Sequence, residues 1–232
     1  GGNFSSNYLK KLFKINSAIN EFDFVFVLNE KSKKIVEGIG NKNVIVIGDL
    51  RYEAVIPKLK NETNKVLESF IDNNSCVVFG STWKEDENII IKYINNYKGN
   101  TKYIIAPHEI FKNTERINDY LGDKSILFSK IKSSTNLKEF SCLIIDNIGM
   151  LSSLYSYSTI AYVGGGMGTK GLHNTLEPAY FSKPIIIGKN YKGFDEAEKM
   201  IENGNMISVS NYSDFTNTLE LIINNENMIK EM

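Results

Sequence analysis

Short apolar runs recur along the chain, separated by longer stretches in which apolar residues return at helical spacing, and this alternation restricts the fold more than any other feature. The runs are Phe22 to Leu28, Val44 to Ile47, Cys76 to Phe79, Tyr103 to Ala106, Ile126 to Phe128, Cys142 to Ile145, Ile160 to Val163 and Pro184 to Ile187. From Cys76 onward each is short and apolar on both faces, the pattern of a strand covered by helices on either side of a sheet. Helices are expected at Glu30 to Ile39, closed by Gly40, and at about Asn61 to Asp72, Glu85 to Tyr97, Thr114 to Leu121, Met150 to Tyr155, Asn174 to Phe181, Phe194 to Asn203 and Tyr212 to Asn224. Strand–helix–strand units in succession give an α/β fold with a mainly parallel sheet and helices on both faces, not an all-β arrangement.

The chain has 232 residues, 42% hydrophobic and 23% charged, which is globular composition with length enough for a sizeable core. Lysine plus arginine number 27 and so do aspartate plus glutamate, so no global basic field draws in a nucleic-acid backbone. Cys76 and Cys142 sit inside apolar runs and read as reduced core thiols. No run is long enough to span a membrane and no secretory leader opens the chain, so a soluble polypeptide is expected. It begins Gly1-Gly2 without an initiator Met, from which further residues upstream are expected. Leu9 to Ile19 reads as an amphipathic helix whose Leu12 and Phe13, beside Lys10, Lys11 and Lys14, could touch a membrane surface but are expected rather to pack on a preceding domain. A boundary is expected within Arg51 to Lys60, with residues 1–55 the end of one domain and 56–232 a second.

The chemistry concentrates after the run Ile160 to Val163. Five glycines, Gly164, Gly165, Gly166, Gly168 and Gly171, lead through Lys170 to His173-Asn174-Thr175-Leu176-Glu177-Pro178, where a helix is expected to start. Glycines let backbone approach a ligand, and a helix start offers unpaired N–H groups to an anion, so this loop suits a phosphate. Asn174 is placed to cap the helix, and Glu177, in its first turn, to accept hydrogen bonds from both hydroxyls of a ribose or to serve as Asn174's capping partner. No glycine loop ends in Gly-Lys-Ser or Gly-Lys-Thr, and the glycine run follows a late strand, which weakens kinase-like and dehydrogenase-like readings.

Other strand-end loops are Gly80-Ser81-Thr82-Trp83, able to cap a helix or bind an anion; Ala106-Pro107-His108-Glu109; Asp146-Asn147-Ile148-Gly149-Met150, a turn or a nucleobase wall; and Gly188 to Phe194. If the strands are parallel, all these loops leave one edge and converge on one cleft. The two histidines, His108 and His173, both fall in such loops. Neither has other ligands nearby at metal spacing, so no metal or cofactor is expected.

The blocks Gly48-Asp49-Leu50-Arg51-Tyr52, Gly80-Ser81-Thr82, Asp146 to Met150, Tyr162 to Gly166, Gly171 to Ala179 and Lys183 to Gly188 occur in an order and spacing that resembles the 3-deoxy-D-manno-octulosonic acid (Kdo) transferases of lipopolysaccharide assembly. The resemblance extends over essentially the whole chain. It implies the C-terminal, Rossmann-like half of a two-domain GT-B glycosyltransferase, which takes Kdo from CMP-Kdo to a lipid A precursor without a metal. It further implies that Gly164, Gly165, Gly166 and Asn174 hold the donor's phosphate or Kdo and that Glu177 holds the ribose. Ser81 and Thr82 would face the phosphate or Kdo from the opposite wall, and Pro107, His108, Ile148, Gly149 and Met150 would surround the cytosine. Ala106 to Glu109 departs from the family's Pro-Arg-His by having no arginine, which leaves one donor contact unassigned.

By the same resemblance no catalytic residue lies in this chain. The base is a carboxylate of an absent N-terminal acceptor domain beside the cytoplasmic face of the inner membrane, and the chain alone is inactive. Lys170 and the amides at the Asn174 helix start would stabilise the departing CMP in an inverting transfer. Another GT-B enzyme using a UDP-sugar, or a non-catalytic domain that binds sugar nucleotides, remains an alternative reading of the same loops.

Overall fold

The computed structural model describes residues 18–48 and 63–232. The chain divides into two compact units, Gly1–Ala54 and Val55–Met232. Most of the helix expected over Leu9 to Ile19, and all of Arg51 to Lys60, lie outside the described residues.

In the first unit, β1 (Val25–Val27) pairs in parallel with β2 (Val44–Val46), Val25 opposite Val44, around α1 (Glu30–Ile39). Asn29 caps α1 by accepting a 2.8 Å hydrogen bond from the Ser32 amide, and Gly40 closes it at φ 122°, a conformation that needs glycine. Phe22, Phe24, Phe26 and Leu28 recur at every second residue and remain exposed, as do Ile45 on β2 and Ile47 just after it. Phe26 is paired with Ile45, so these side chains form one uncovered apolar face.

The second unit is a seven-stranded, all-parallel sheet in the order β5-β6-β4-β3-β7-β8-β9. Its strands are β3 (Cys76–Thr82), β4 (Lys102–Pro107), β5 (Ser125–Leu127), β6 (Cys142–Ile144), β7 (Ile160–Val163), β8 (Ile185–Gly188) and β9 (Met206–Val209). The intervening helices are α2 (Lys65–Ile71), α3 (Lys84–Asn96), α4 (Ile110–Leu121), α5 (Leu151–Leu154), α6 (Leu176–Tyr180) and α7 (Asp195–Glu202), and α8 (Tyr212–Ile223) and α9 (Glu226–Glu231) follow the last strand. Strand β3 shows why the runs are apolar throughout. Val77 and Phe79 pack on one face with Ile90 and Ile94 of α3, Ile117 of α4 and Phe215 of α8, while Cys76 and Val78 pack on the other with Leu67 and Phe70 of α2. Both cysteines are free and buried, and burial pushes the Cys76 thiol up to about 12.

Several elements differ from expectation, among them α9, for which no helix was expected. β3 runs past Phe79 to Thr82, because a bulge at Ser81, at φ 53°, lets Thr82 pair with Pro107. β9 is an edge strand whose Ile207 and Ser208 are half-buried, and its mixed composition hides it from a search for apolar runs. α6 has only five residues, so the helix start expected at Asn174 carries little macrodipole.

The carboxyl ends of β3 and β7 are joined through Asp86, a fully buried carboxylate in the first turn of α3. Asp86 Oδ2 accepts from the Trp83 and Gly165 amides, each at 2.9 Å, and Oδ1 accepts from the Tyr162 hydroxyl at 2.7 Å. A further backbone hydrogen bond comes from Met167. Burial raises the Asp86 pKa and these donors pull it back. Asp86→Ala leaves buried donors without an acceptor, so it is expected to lower the unfolding free energy by roughly 3 kcal/mol or more. Asp86→Asn, which keeps one carbonyl acceptor, should cost less; denaturant midpoints of the two variants check the order.

Candidate functional site

From β3 the chain crosses to β4 on one side, whereas from β7 it proceeds to β8 and β9 on the other. The neighbouring carboxyl ends of β3 and β7 therefore form a topological switch point, the place where parallel α/β sheets leave a crevice for ligands. The loops after β3, β4 and β7 meet there.

The glycine run is held mainly by backbone packing, which corrects part of what the sequence suggested. A Cβ on Gly164 would lie 2.4 Å from the Ser81 carbonyl oxygen and 2.7 Å from Thr82 Cα, so this glycine lets the β3 and β7 loops touch. A Cβ on Gly188 would meet the Gly166 carbonyl carbon and the Met167 nitrogen, each at 2.2 Å, which packs the run equally closely on the end of β8. The Gly164 amide donates to the Gly80 carbonyl at 2.9 Å, and the Gly165 amide is taken by Asp86. Neither amide is left to bind a phosphate. Asn190 secures the other side: its amide donates to the Gly166 carbonyl at 2.8 Å and its side chain to the Gly168 carbonyl at 2.6 Å.

Beside this loop three rings stack. His108 lies 4.6 Å from Trp83 and 4.4 Å from His173 between centroids, and the Trp83 and His173 planes are within 14° of parallel. The Trp83 indole N–H donates to His173 Nε2 at 2.7 Å, and Lys170 Nζ stands 5.0 Å from the Trp83 ring centroid. The histidines noticed in separate loops are thus brought together, and Trp83, passed over in the sequence, is the ring that joins them. The signal available was its place directly after Gly80-Ser81-Thr82. Burial, then the neighbouring His108, lowers the His173 pKa. Among the described residues no group of three His, Cys, Asp or Glu side chains could hold a metal ion.

Beneath His108 a cavity of about 150 Å³ is lined by Ser81, Pro107, His108, Ile148 and Gly149, together with Leu151 of α5. Ser81, expected on the phosphate wall, lines this cavity, while two other expected site residues, Thr82 of that wall and Met150 of the cytosine pocket, are placed elsewhere. Thr82 is fully buried and its hydroxyl donates to Glu87 at 3.3 Å, because the bulge at Ser81 turns Thr82 inward. Met150 packs against the apolar cluster of α2 and β6, its sulfur accepting from the Asn147 amide group at 3.0 Å. Burial also raises Glu87, to about 7, against the pull of the Arg116 guanidinium bonded to it.

Glu177, in α6, has both oxygens oriented. Oε2 accepts from the Ser152 hydroxyl at 2.9 Å and Oε1 from the Asn174 side-chain amide at 3.2 Å. The N-cap of α6 is Thr175 rather than the expected Asn174, but Asn174 Oδ1 accepts from the Leu176 amide at 3.1 Å, so Asn174 holds the first amide of α6 while it positions Glu177. A carboxylate oxygen has two acceptor positions, so each still has one for a ligand hydroxyl. Ser152 follows Leu151, which sets the carboxylate one residue from the cavity wall. A larger recess of about 340 Å³, lined by Thr101, Lys102 and Phe140 among others, opens at the amino ends of the strands, away from these loops.

No protein-family model matches the chain. It is 31% identical over 228 residues to the 3-deoxy-D-manno-octulosonic acid transferase of Rickettsia typhi, a match that covers 95% of this chain and 48% of that protein. The chain thus spans about half the length of the curated relatives it matches. The fold is similar to that of the C-terminal CMP-Kdo binding domain of WaaA from Acinetobacter baumannii, with TM-score 0.56 and 18% identity over 76% of this chain and 89% of that one. It is also similar to S. aureus MnaA in a co-structure with UDP, with TM-score 0.58 and 15% identity over 87% of this chain and 51% of that one. Over 95% of its length the chain is thus similar to about half of a Kdo transferase, and its fold is that of a Rossmann-like domain.

Proposed function

We propose that the unit Val55–Met232 is the donor-binding domain of a metal-independent, inverting glycosyltransferase that transfers Kdo from CMP-Kdo to a lipid A precursor in lipopolysaccharide synthesis. The observation that carries this reading is the pairing of a small, largely apolar cavity with an oriented carboxylate: Ser81, Pro107, His108, Ile148 and Gly149 enclose a space suited to a pyrimidine, and Glu177 stands beside it. A base would enter that cavity and the ribose hydroxyls would donate to Glu177. The relatives named as Kdo transferases support CMP-Kdo as the nucleotide sugar.

The phosphate would be met by Lys170, by the donors of the ring stack and by the second Asn174 amide hydrogen. As CMP departs, the same groups would stabilise the charge developing on its phosphate, aimed in advance and costing no reorganisation. Gly164, Gly165 and Gly166 would act by fixing the loop's shape. The base that deprotonates the acceptor hydroxyl would be a carboxylate outside this chain. Residues 1–55 would belong to the acceptor-side domain that carries it, and the exposed apolar face of β1 and β2 is what a sheet continued by further strands or helices would cover. Among the described residues no helix is long and apolar enough to cross a membrane, so attachment to the cytoplasmic face of the inner membrane would come from that domain.

Titration calorimetry with CMP tests the donor assignment. Glu177→Gln removes the charge that accepts the ribose hydroxyls and should weaken CMP by about tenfold or more, whereas Ser152→Ala, which loosens one oxygen, should cost about threefold. Unchanged CMP affinity in Glu177→Gln would refute the ribose assignment. The cavity floor should also favour CMP over UDP, and a preference for UDP would redirect the reading to a UDP-sugar enzyme.

A further inference from the structure

We propose that Trp83 is a positioning residue, which holds His173 as the neutral tautomer with its proton on Nδ1 and so makes that nitrogen an uncharged hydrogen-bond donor to the bound nucleotide sugar. The step to the ligand rests on the donor-binding reading above; the tautomer assignment does not.

An indole nitrogen can only donate, so its 2.7 Å hydrogen bond to His173 Nε2 requires a lone pair there, and a neutral imidazole then carries its hydrogen on Nδ1. The indole is itself fixed. The Trp83 amide donates to Asp86 at 2.9 Å, its carbonyl accepts from the Glu87 amide at 2.9 Å, and the ring stacks on His108. His173 is fixed at its backbone, where the amide donates to the Gly164 carbonyl at 3.2 Å. Protonating His173 would set a second N–H against the indole N–H.

The charged and titratable groups around the pair weigh on the same equilibrium. His108 faces both rings from the β4 loop, and Lys170 stands over the indole. Both disfavour an added positive charge. Of the neighbouring carboxylates, Asp86 is held by the Gly165 and Trp83 amides and Glu177 by Ser152 and Asn174, while Glu85 lies beside Gly168. His173 sits between the glycine run and Asn174, where a donor could reach a phosphate or carboxylate without adding charge that water or a proton would have to balance.

Two histidines and a single tryptophan make the assignment directly measurable. Two-bond 1H–15N correlation spectra, assigned with His108→Gln, should show wild-type His173 as the Nδ1–H tautomer at about pH 8, titrating below an ordinary histidine. In Trp83→Phe, which keeps a ring but has no N–H, the proton should redistribute toward Nε2 and the titration should move up. A wild-type His173 protonated mainly on Nε2, or a tautomer and titration unchanged in Trp83→Phe, overturns the proposal.

CMP binding supplies the second readout. Trp83→Phe should weaken CMP by about fivefold at about pH 8, and the penalty should vanish at a pH where His173 is protonated, because an imidazolium carries a hydrogen on Nδ1 whatever its neighbour. A penalty that is constant with pH marks a purely packing role and also overturns the proposal. Wild-type protein that binds no CMP contradicts the donor reading instead, and the spectra then decide the tautomer assignment alone.

Discussion

A single buried carboxylate holds this site together. Asp86 lies at the start of α3, yet its partners come from the loop after β3, the end of β7 and the glycine run beyond it. Burying a carboxylate costs several kcal/mol before compensation, and each donor that points at it recovers part of that cost. A leucine of similar volume would pack without the penalty. It could not orient the Gly165 amide, the Trp83 amide and the Tyr162 hydroxyl at once, and the shape of the crevice is set by those orientations.

The glycines follow from the same constraint. Once the Gly165 amide is drawn onto Asp86, the run must pass over Ser81 and Thr82 on one side and Gly188 on the other, at separations that no Cβ allows. A phosphate loop and a backbone-packing loop place the same demand on sequence, namely glycine. They differ in where the amides point. Here the Gly164 and Gly165 amides point inward, so under the proposed function ligand recognition would pass to the side chains the loop carries or supports: Lys170, His173, Asn174 and Glu177.

Much of the architecture was legible because a doubly covered parallel strand must be apolar at every position. Cys76 to Phe79 and Ile160 to Val163 could therefore be read without ambiguity, and α1 was bounded correctly by Asn29 and Gly40, whose roles are local. β9 was missed for the converse reason, since an edge strand with half-buried Ile207 and Ser208 has no continuous apolar run. Within the site, the ring stack lay beyond sequence reasoning because Trp83, His108 and His173 are far apart in the chain and meet only where parallel strands end together. Thr82 was misplaced through a single backbone event. A bulge at Ser81 reverses the sense of the next side chain, and no residue type in Gly80-Ser81-Thr82 demands it.

The charge balance of the crevice is subject to the same constraint. A nucleotide sugar is anionic, and a chain whose acidic and basic residues cancel supplies no long-range attraction, so the ligand's charge must be met at short range. Carboxylates beside the crevice would oppose it if they were free, but Asp86 directs its charge at buried donors and Glu177 presents oxygens already oriented by Ser152 and Asn174. With no arginine in the Ala106 to Glu109 loop, recognition of the proposed donor would fall to the exposed Lys170 and to neutral donors of fixed direction. Such donors are effective only when their hydrogens are placed before the ligand arrives. Asp86 fixes Trp83, and Trp83 fixes the proton on His173, so the cost of that placement is met in folding rather than in binding.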